Sequence, residues 1–183
     1  FGASYVQIMP IIAGALGMAE KGYGILISST GFGSVIGTII ISRYQLSPKL
    51  GLIMMGGMLT STISIFCFSI ITAHIGNNPW AFYCLCIFAL TGAIGGSFFW
   101  LSSMSIMQTA VPDRLRGRVM GIHSITFSLI ALGGLFMGII TDIFSASIAI
   151  GSGAITVFAS IVYFSFAYPR LWRLNEKVNQ IYI

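Results

Sequence analysis

Residues 50–73 read LGLIMMGGMLTSTISIFCFSIITA, an apolar run without a charged side chain. A bilayer core about 30 Å thick is crossed by about 20 apolar residues in helical conformation. Lipid offers the backbone no hydrogen bonds, so a spanning segment must be a helix or a strand of a closed barrel, and this run is too long for a barrel strand. Residues 50–73 are therefore predicted to form a transmembrane helix.

Apolar runs of similar length lie on both sides of this segment. Hydrophobic residues make up 56% of the chain and charged residues only 7%, whereas soluble proteins carry about 25% charged residues. We expect an all-α membrane protein, a six-transmembrane-helix bundle that forms one domain over residues 1–183. The predicted spans are 1–19, 22–42, 50–73, 79–107, 119–141 and 146–168.

The first apolar run already includes Phe1, and neither a Met nor a basic leader precedes it. This pattern does not resemble a signal peptide. A span that begins at the edge of a chain indicates further sequence upstream. We therefore expect that the chain is truncated before Phe1 and is part of a larger protein.

Basic residues in the gaps between runs indicate the orientation. Of the nine Lys and Arg residues, all except Lys21 lie on one side of the six-span arrangement. The positive-inside rule assigns that side, and with it both ends of this segment, to the cytoplasm. The net charge of +5 therefore reflects membrane orientation, and we expect no nucleic-acid partner.

Chemistry inside the spans is expected to be sparse. No run has Asp, Glu, Lys or Arg in its interior, so we expect neither a proton-relay carboxylate nor a buried counter-charge for a charged substrate here. His74 and His123 have no partners at metal-ligand spacing, and no metal or cofactor is expected. His123 is interpreted either as a hydrogen-bonded residue near a helix end or as a group that titrates near neutral pH.

A catalytic interpretation starts from Gly95-Gly96-Ser97 in the fourth run. This triplet resembles the Gly-x-Ser nucleophile of rhomboid proteases, which also have six spans. That chemistry needs a histidine base in the sixth span, and residues 146–168 contain none. Intramembrane serine proteolysis is therefore a second and weaker alternative, and the chain is expected not to be an enzyme.

The most distinctive gap is 108–118, QTAVPDRLRGR. Pro112 and Asp113 are typical helix-start residues, and arginines follow at every second position. One interpretation is a cytoplasmic loop that obeys the positive-inside rule. The other is a gate, in which the arginines bind acidic groups or helix ends in one conformational state and release them in another. The gating candidates are Arg114, Arg116, Arg118, Asp113 and Asp142.

At this gap the sequence resembles the major facilitator superfamily. Residues 111–121, VPDRLRGRVMG, are similar to the family's loop between its tenth and eleventh helices, and 133–142 to an eleventh helix that ends in an acidic residue. Met9-Pro10 and the glycines of 22–37 resemble the seventh and eighth helices of the branch with enterobactin exporters and macrolide efflux proteins. The segment 43–49 departs from the family, since it lacks the Asp and glycine of the expected motif.

The resemblance implies the C-terminal half of a twelve-helix transporter, with a missing N-terminal six-helix half as partner. Substrate would be held near the midplane and exposed alternately to each side. The first and fourth spans would line the cavity, where Gly92, Gly96, Trp100, Ser103 and Met107 form a stripe; helix packing is the plainer alternative for that stripe. The substrate-binding candidates are Gln7, Trp100, Ser103 and Ser4.

The function expected from the sequence is export of amphipathic small molecules across the bacterial inner membrane. The resemblance implies a siderophore such as enterobactin, or a drug, as substrate, and proton coupling through residues outside this chain. The expected partners are the lipid bilayer, the missing half, the small-molecule substrate and protons. The alternative from another class is a six-span membrane scaffold or a dimerising half-transporter.

Overall fold

The computed structural model describes residues 4–45, 47, 49–74 and 79–167. The helices are α1 Met9–Ala15, α2 Ala19–Ser42, α3 Leu50–Ala73, α4 Pro79–Ala110, α5 Asp113–Ile143 and α6 Ala146–Ala167. A 3-10 helix, Ser4–Ile8, leads directly into α1. Within the described ranges, α2 to α6 are each long and apolar enough to cross a membrane. The predicted all-α membrane bundle is confirmed.

The first helical segment ends earlier than the apolar run 1–19. Gly17 has φ +67°, and its N–H donates to the Gly14 carbonyl at 3.0 Å. The next N–H, of Met18, donates to the Ala13 carbonyl at 3.1 Å. These two bonds form a Schellman cap, which a glycine at positive φ makes possible. The chain therefore turns at Gly17, and α2 begins at Ala19.

Charged residues end the apolar runs without ending the helices. Glu20 and Lys21 lie in the first turn of α2 instead of in a gap. In the same way, α5 begins at Asp113, after the extended Pro112 (φ −55°, ψ 145°), so Arg114 to Arg118 are helical. Arginine is a good helix former, and a helix that leaves the bilayer core remains stable in water. The helices therefore extend beyond the spans that hydropathy marks.

Helix α4 is the centre of the bundle, with α2 and α3 packed on it. A β-carbon at Gly37 of α2 would lie 2.8 Å from the Ser97 β-carbon, and one at Gly33 would lie 3.0 Å from that of Ala93. On the α3 side, a β-carbon at Gly57 would lie 2.7 Å from the Gly95 carbonyl oxygen. Small residues thus bring the backbones together, as in other membrane bundles.

Polar side chains and one aromatic cluster complete the core. Ser69 of α3 donates to the Ser147 carbonyl, and Ser147 of α6 donates back to the Ser69 carbonyl, both at 2.8 Å. The buried Tyr5 ring meets Phe68 edge-on, with centroids 5.9 Å apart, and its hydroxyl bonds the Thr30 side chain. These contacts tie the 3-10 helix and α6 to the α2–α4 core.

The contacts also define the two ends of the bundle. Gly33 and Gly37 meet successively later residues of α4, so α2 and α4 are parallel, whereas α3 is antiparallel to both. The C-terminus of α2 and the N-terminus of α3 therefore lie at the end where α4 passes into α5. This end is termed the basic end, and it carries Arg43, Lys49, Arg114, Arg116 and Arg118. The opposite end carries Lys21, His74 and Asp142.

Candidate functional site

Trp100 of α4 lies against His123 of α5. The two ring centroids are 5.1 Å apart, and the ring planes are inclined by 37°. Both side chains are half-buried. The pair joins α4 to α5 about ten residues from the end of α4, which is roughly 15 Å inside the helix.

A cleft extends from this ring pair toward the basic end, between α4 and α5. Its volume is about 630 Å³. On α4 the lining residues Met104 and Gln108 follow Trp100 at intervals of four. On α5 Arg116, Met120 and Ser124 are separated by the same interval. Each helix therefore presents one face to the cleft. The lining residues are Met104, Gln108, Arg116, Met120, His123 and Ser124.

The lining combines polarizable and polar groups. The thioethers of Met104 and Met120 adapt to irregular apolar shapes. Around them are a guanidinium, an amide, a hydroxyl and an imidazole. A concave surface with apolar walls and a few convergent polar groups is typical of small-molecule sites. The arrangement can hold an amphipathic small molecule.

Gln7, the predicted amide of the first span, lies on the 3-10 helix and is directed at α5. Its side-chain amide occupies the space that a β-carbon at Gly134 would take. Gly134 is eleven residues after His123, or about 16 Å along the helix. Gln7 and Trp100 therefore both contact α5, but at different depths. The side chain of Ser4 lies outside the described part of the structure.

The predicted stripe on α4 is divided between two surroundings. Gly92 is buried, and a β-carbon there would lie 3.3 Å from the Ser64 β-carbon and 3.9 Å from the Tyr5 hydroxyl. Gly92 thus contributes to packing of the core. Ser103 and Met107 are half-buried nearer the basic end, on the helix face beside that of Trp100 and Met104. Their role as substrate contacts stays a prediction.

The predicted gating residues lie at both ends of α5. Arg114, Arg116 and Arg118 are exposed, and of these three Arg116 lines the cleft. Asp142 is exposed in the last turn of the same helix, about 40 Å from Arg114. These arginines and Asp142 therefore cannot pair with each other within one chain. The Asp113 side chain lies outside the described residues.

Ser97 lacks the surroundings of a nucleophile. Its hydroxyl oxygen is 3.0 Å from the Ala93 carbonyl oxygen and 3.3 Å from that of Ser34, and it donates to these backbone acceptors. His123 instead lies against Trp100, with the two ring planes inclined by 37°. Within the described ranges, no group of His, Cys, Asp and Glu side chains could hold a metal ion. The Ser97 geometry is therefore that of a packing residue between α2 and α4.

Sequence reasoning missed most of the cleft. Met104, Gln108, Met120 and Ser124 are not among the predicted site residues, and the sequence indicates His123 only as a titrating group or a hydrogen-bonded residue near a helix end. The available signal was the repeat of four residues from Trp100 to Gln108 and from Arg116 to Ser124. On α5 this repeat can be recognised only if the helix is taken to begin at Asp113, and not at residue 119, where the predicted span begins.

Comparison with protein-family models gives a match to the Major Facilitator Superfamily over residues 2–180. Comparison with curated proteins found no match, and neither did comparison with solved structures. The family match covers nearly the whole chain and agrees with the apolar helical bundle. Proteins of this family are membrane transporters embedded in a lipid bilayer. The chain therefore belongs to the Major Facilitator Superfamily of membrane transporters.

Proposed function

We propose that the chain is the C-terminal six-helix half of a secondary active exporter of amphipathic small molecules, such as the siderophore enterobactin or a drug. The observation that carries the proposal is the Trp100–His123 pair at the head of the α4–α5 cleft. A half-buried aromatic ring beside methionines and polar groups offers stacking, dispersion and hydrogen bonds to one solute. Such a mixed surface suits a molecule that is partly aromatic and partly polar.

Alternating access requires a second half and helices that can shift against one another. A row of apolar side chains on α5 is exposed in the isolated half, which supports contact with lipid or with an N-terminal six-helix partner. Close small-residue packing of α2 on α4 supports a rigid unit that can rock as a body. The exposed α5 residues include Ile122, Ile125, Leu129, Leu132 and Leu135.

The energy source in this proposal is a proton gradient, with the proton carrier in the N-terminal half. The acidic residues on the described helices, Glu20, Asp113 and Asp142, are at helix ends, far from the bilayer midplane. An intramembrane carboxylate is the usual proton acceptor in such machines. In this proposal, proton coupling therefore uses residues outside the described helices.

We propose that the chain lies in the bacterial inner membrane, and that the basic end and both termini of this half are in the cytoplasm. Arg43, Lys49 and the α5 arginines support this orientation through the positive-inside rule. In the same orientation, Arg116 and Gln108 of the cleft lie toward the cytoplasm, from which an exporter takes its substrate. The α5 arginines and Asp142 are proposed to contact the other half during gating.

The test is efflux of labelled enterobactin and of a labelled macrolide from cells that express the complete gene. Trp100→Ala is expected to lower efflux about tenfold at unchanged membrane abundance, because it removes an aromatic contact of about 1–2 kcal/mol. Trp80→Ala is the matched control, since Trp80 lies on the same helix at the opposite end and is 73% exposed.

Two results would contradict the proposal. If wild type exports neither compound, the substrate class is wrong, and a six-span scaffold or a dimerising half becomes the better hypothesis. If wild type exports but Trp100→Ala and Trp80→Ala behave alike, transport does not use this surface.

A further inference from the structure

A groove separate from the α4–α5 cleft lies along α2, beside α4. Its volume is about 590 Å³. Leu90 of α4 forms one wall. The other lining residues repeat along α2 at intervals of three and four, so one face of this helix forms the rest of the groove. These residues are Lys21, Gly24, Ile25, Ser28, Ser29 and Phe32.

The groove has the length of one membrane leaflet. Lys21 is in the first turn of α2, at the end opposite the basic end, and Phe32 is near the middle of this helix. The two residues are separated by about 16 Å along the helix axis. Because the hydrocarbon core is about 30 Å thick, one leaflet is about 15 Å deep. The groove therefore extends from the membrane surface to about the midplane.

The surface end of the groove is positively charged. Lys21 is exposed, and its stem can lie on apolar surface while the ammonium group stays at the membrane surface. Residues 22–112 include no Asp or Glu, so α3, α4 and the loop between them bring no carboxylate to this end. Glu20 precedes Lys21 directly, and adjacent residues of a helix do not face each other. Neither Glu20 nor Asp142 lines the groove.

Below Lys21 the groove offers apolar contacts. Ile25, Phe32 and Leu90 form hydrocarbon walls, and Phe32 is 71% exposed. Ser29 donates its hydroxyl to the Ile25 carbonyl at 2.9 Å, so it can lie against hydrocarbon. A β-carbon at Gly24 would meet no atom within 4 Å among the described residues, which leaves open space close to Lys21.

We propose that this groove binds one anionic glycerophospholipid. Its phosphate contacts the Lys21 ammonium, and one acyl chain lies along α2 as far as Phe32. The charge of Lys21 complements a lipid with net negative charge, such as phosphatidylglycerol. The depth of one leaflet matches one acyl chain. This inference goes beyond export and does not depend on the transported solute.

The experiment uses photocrosslinking to the purified complete protein in phosphatidylcholine nanodiscs. A trace of phosphatidylglycerol with a diazirine in its acyl chain is the probe, and mass spectrometry locates the attached lipid. We expect attachment within residues 21–32 and at Leu90. Phosphatidylcholine with the same diazirine chain should label these positions about fivefold less, because one lysine near the membrane surface contributes about this factor for an anionic lipid.

A pair of charge variants tests the headgroup contact. Lys21→Gln is expected to lower phosphatidylglycerol labelling to the level of phosphatidylcholine. Lys49→Gln is the matched control, because it removes the same charge from an exposed position at the basic end, outside the groove. Labelling of the groove should be unchanged in Lys49→Gln.

A pair of glycine variants tests the path of the acyl chain. Gly24→Leu is expected to cause loss of labelling by both lipids, because leucine would fill the open part of the groove. Gly31→Leu is the matched control. Its β-carbon would also meet no atom within 4 Å among the described residues, and Gly31 does not line the groove. Leucine favours helix at both positions, so unfolding would not explain a loss in Gly24→Leu alone.

Several results would overturn the inference. Equal labelling by the two lipids in wild type would show that Lys21 does not recognise the anionic headgroup. Equal labelling of Gly24→Leu and Gly31→Leu would show that the acyl chain does not use the groove. Absence of lipid from residues 21–32 of the complete protein would show that another part of the protein covers this face. Displacement of the lipid by an exported compound would assign the groove to the solute.

Discussion

The side-chain amide of Gln7 lies against Gly134 of α5, in the space where any other residue at position 134 would carry its β-carbon. Helix α5 is the least buried of the long helices. The 3-10 helix and α6 are its main neighbours. A polar side chain fitted to a glycine therefore forms part of the attachment of α5 to the bundle.

Gly134→Ala is expected to lower the free energy of unfolding by about 1 kcal/mol, because the new methyl group displaces the Gln7 amide. The cost stays small because the end of a glutamine side chain can rotate. Thermal unfolding of the complete protein in detergent measures it. In a Gln7→Ala background the cost should disappear. Gly138→Ala is the matched control, since a β-carbon there would meet no atom within 4 Å among the described residues. Equal effects at 134 and 138 would contradict the contact.

Gly57→Ala is expected to be destabilising by about 1–3 kcal/mol, because its β-carbon would meet the Gly95 carbonyl oxygen at 2.7 Å, and backbone cannot rotate away. The neighbouring Gly56→Ala should be neutral or slightly stabilising, since nothing lies within 4 Å of its β-carbon and alanine favours helix. Thermal unfolding compares the two. A Gly56→Ala loss as large as that of Gly57→Ala would show that α3 and α4 do not cross there.

Ser69→Ala and Ser147→Ala should each cost about 0.6 kcal/mol, a typical value for an interhelical hydrogen bond in a membrane. Each variant removes one bond of the reciprocal pair between α3 and α6. Because each serine donates to the other's carbonyl, a double-mutant cycle should give a coupling energy different from zero. Ser160→Ala is the control, since Ser160 donates to Thr156 within its own helix. Strict additivity would argue against the paired geometry.

The orientation is tested with single cysteines in a background without Cys67, Cys84 and Cys86. Trp80→Cys, at the opposite end, should react with a membrane-impermeant maleimide on intact cells. Tyr44→Cys, at the basic end, should react only after the cells are permeabilised. Both positions are exposed, with 73% and 51% of the side chain accessible. The reverse labelling pattern would invert the proposed topology.

Glycine spacing shows how far the sequence could predict packing. Gly33/Gly37 and Gly117/Gly121 have the same interval of four, a spacing that predicts a helix face of small residues on which another helix can pack. In the structure Gly33 and Gly37 pack against α4. In contrast, a β-carbon at Gly117 or Gly121 would meet no atom within 4 Å among the described residues. Spacing identifies a face of a helix but not whether another helix lies against it.

The sequence by itself determined that the chain is helical and embedded in lipid. Each apolar run must satisfy its own backbone hydrogen bonds, which is a local requirement, and α3 accordingly begins and ends at the run 50–73. Pro112-Asp113 marked the start of α5, whereas the end of α1 before Gly17 was not predicted from the apolar run 1–19.

Only the tertiary structure decided which side chains meet. The contact of Gln7 with Gly134, the contact of Trp100 with His123 and the position of Arg116 in the cleft bring together residues from different helices. Such contacts depend on the rotation and depth at which each helix docks. Close packing over the whole bundle sets this rotation and depth, because interiors at crystal-like density tolerate few alternative arrangements. The residues of any one segment do not set them.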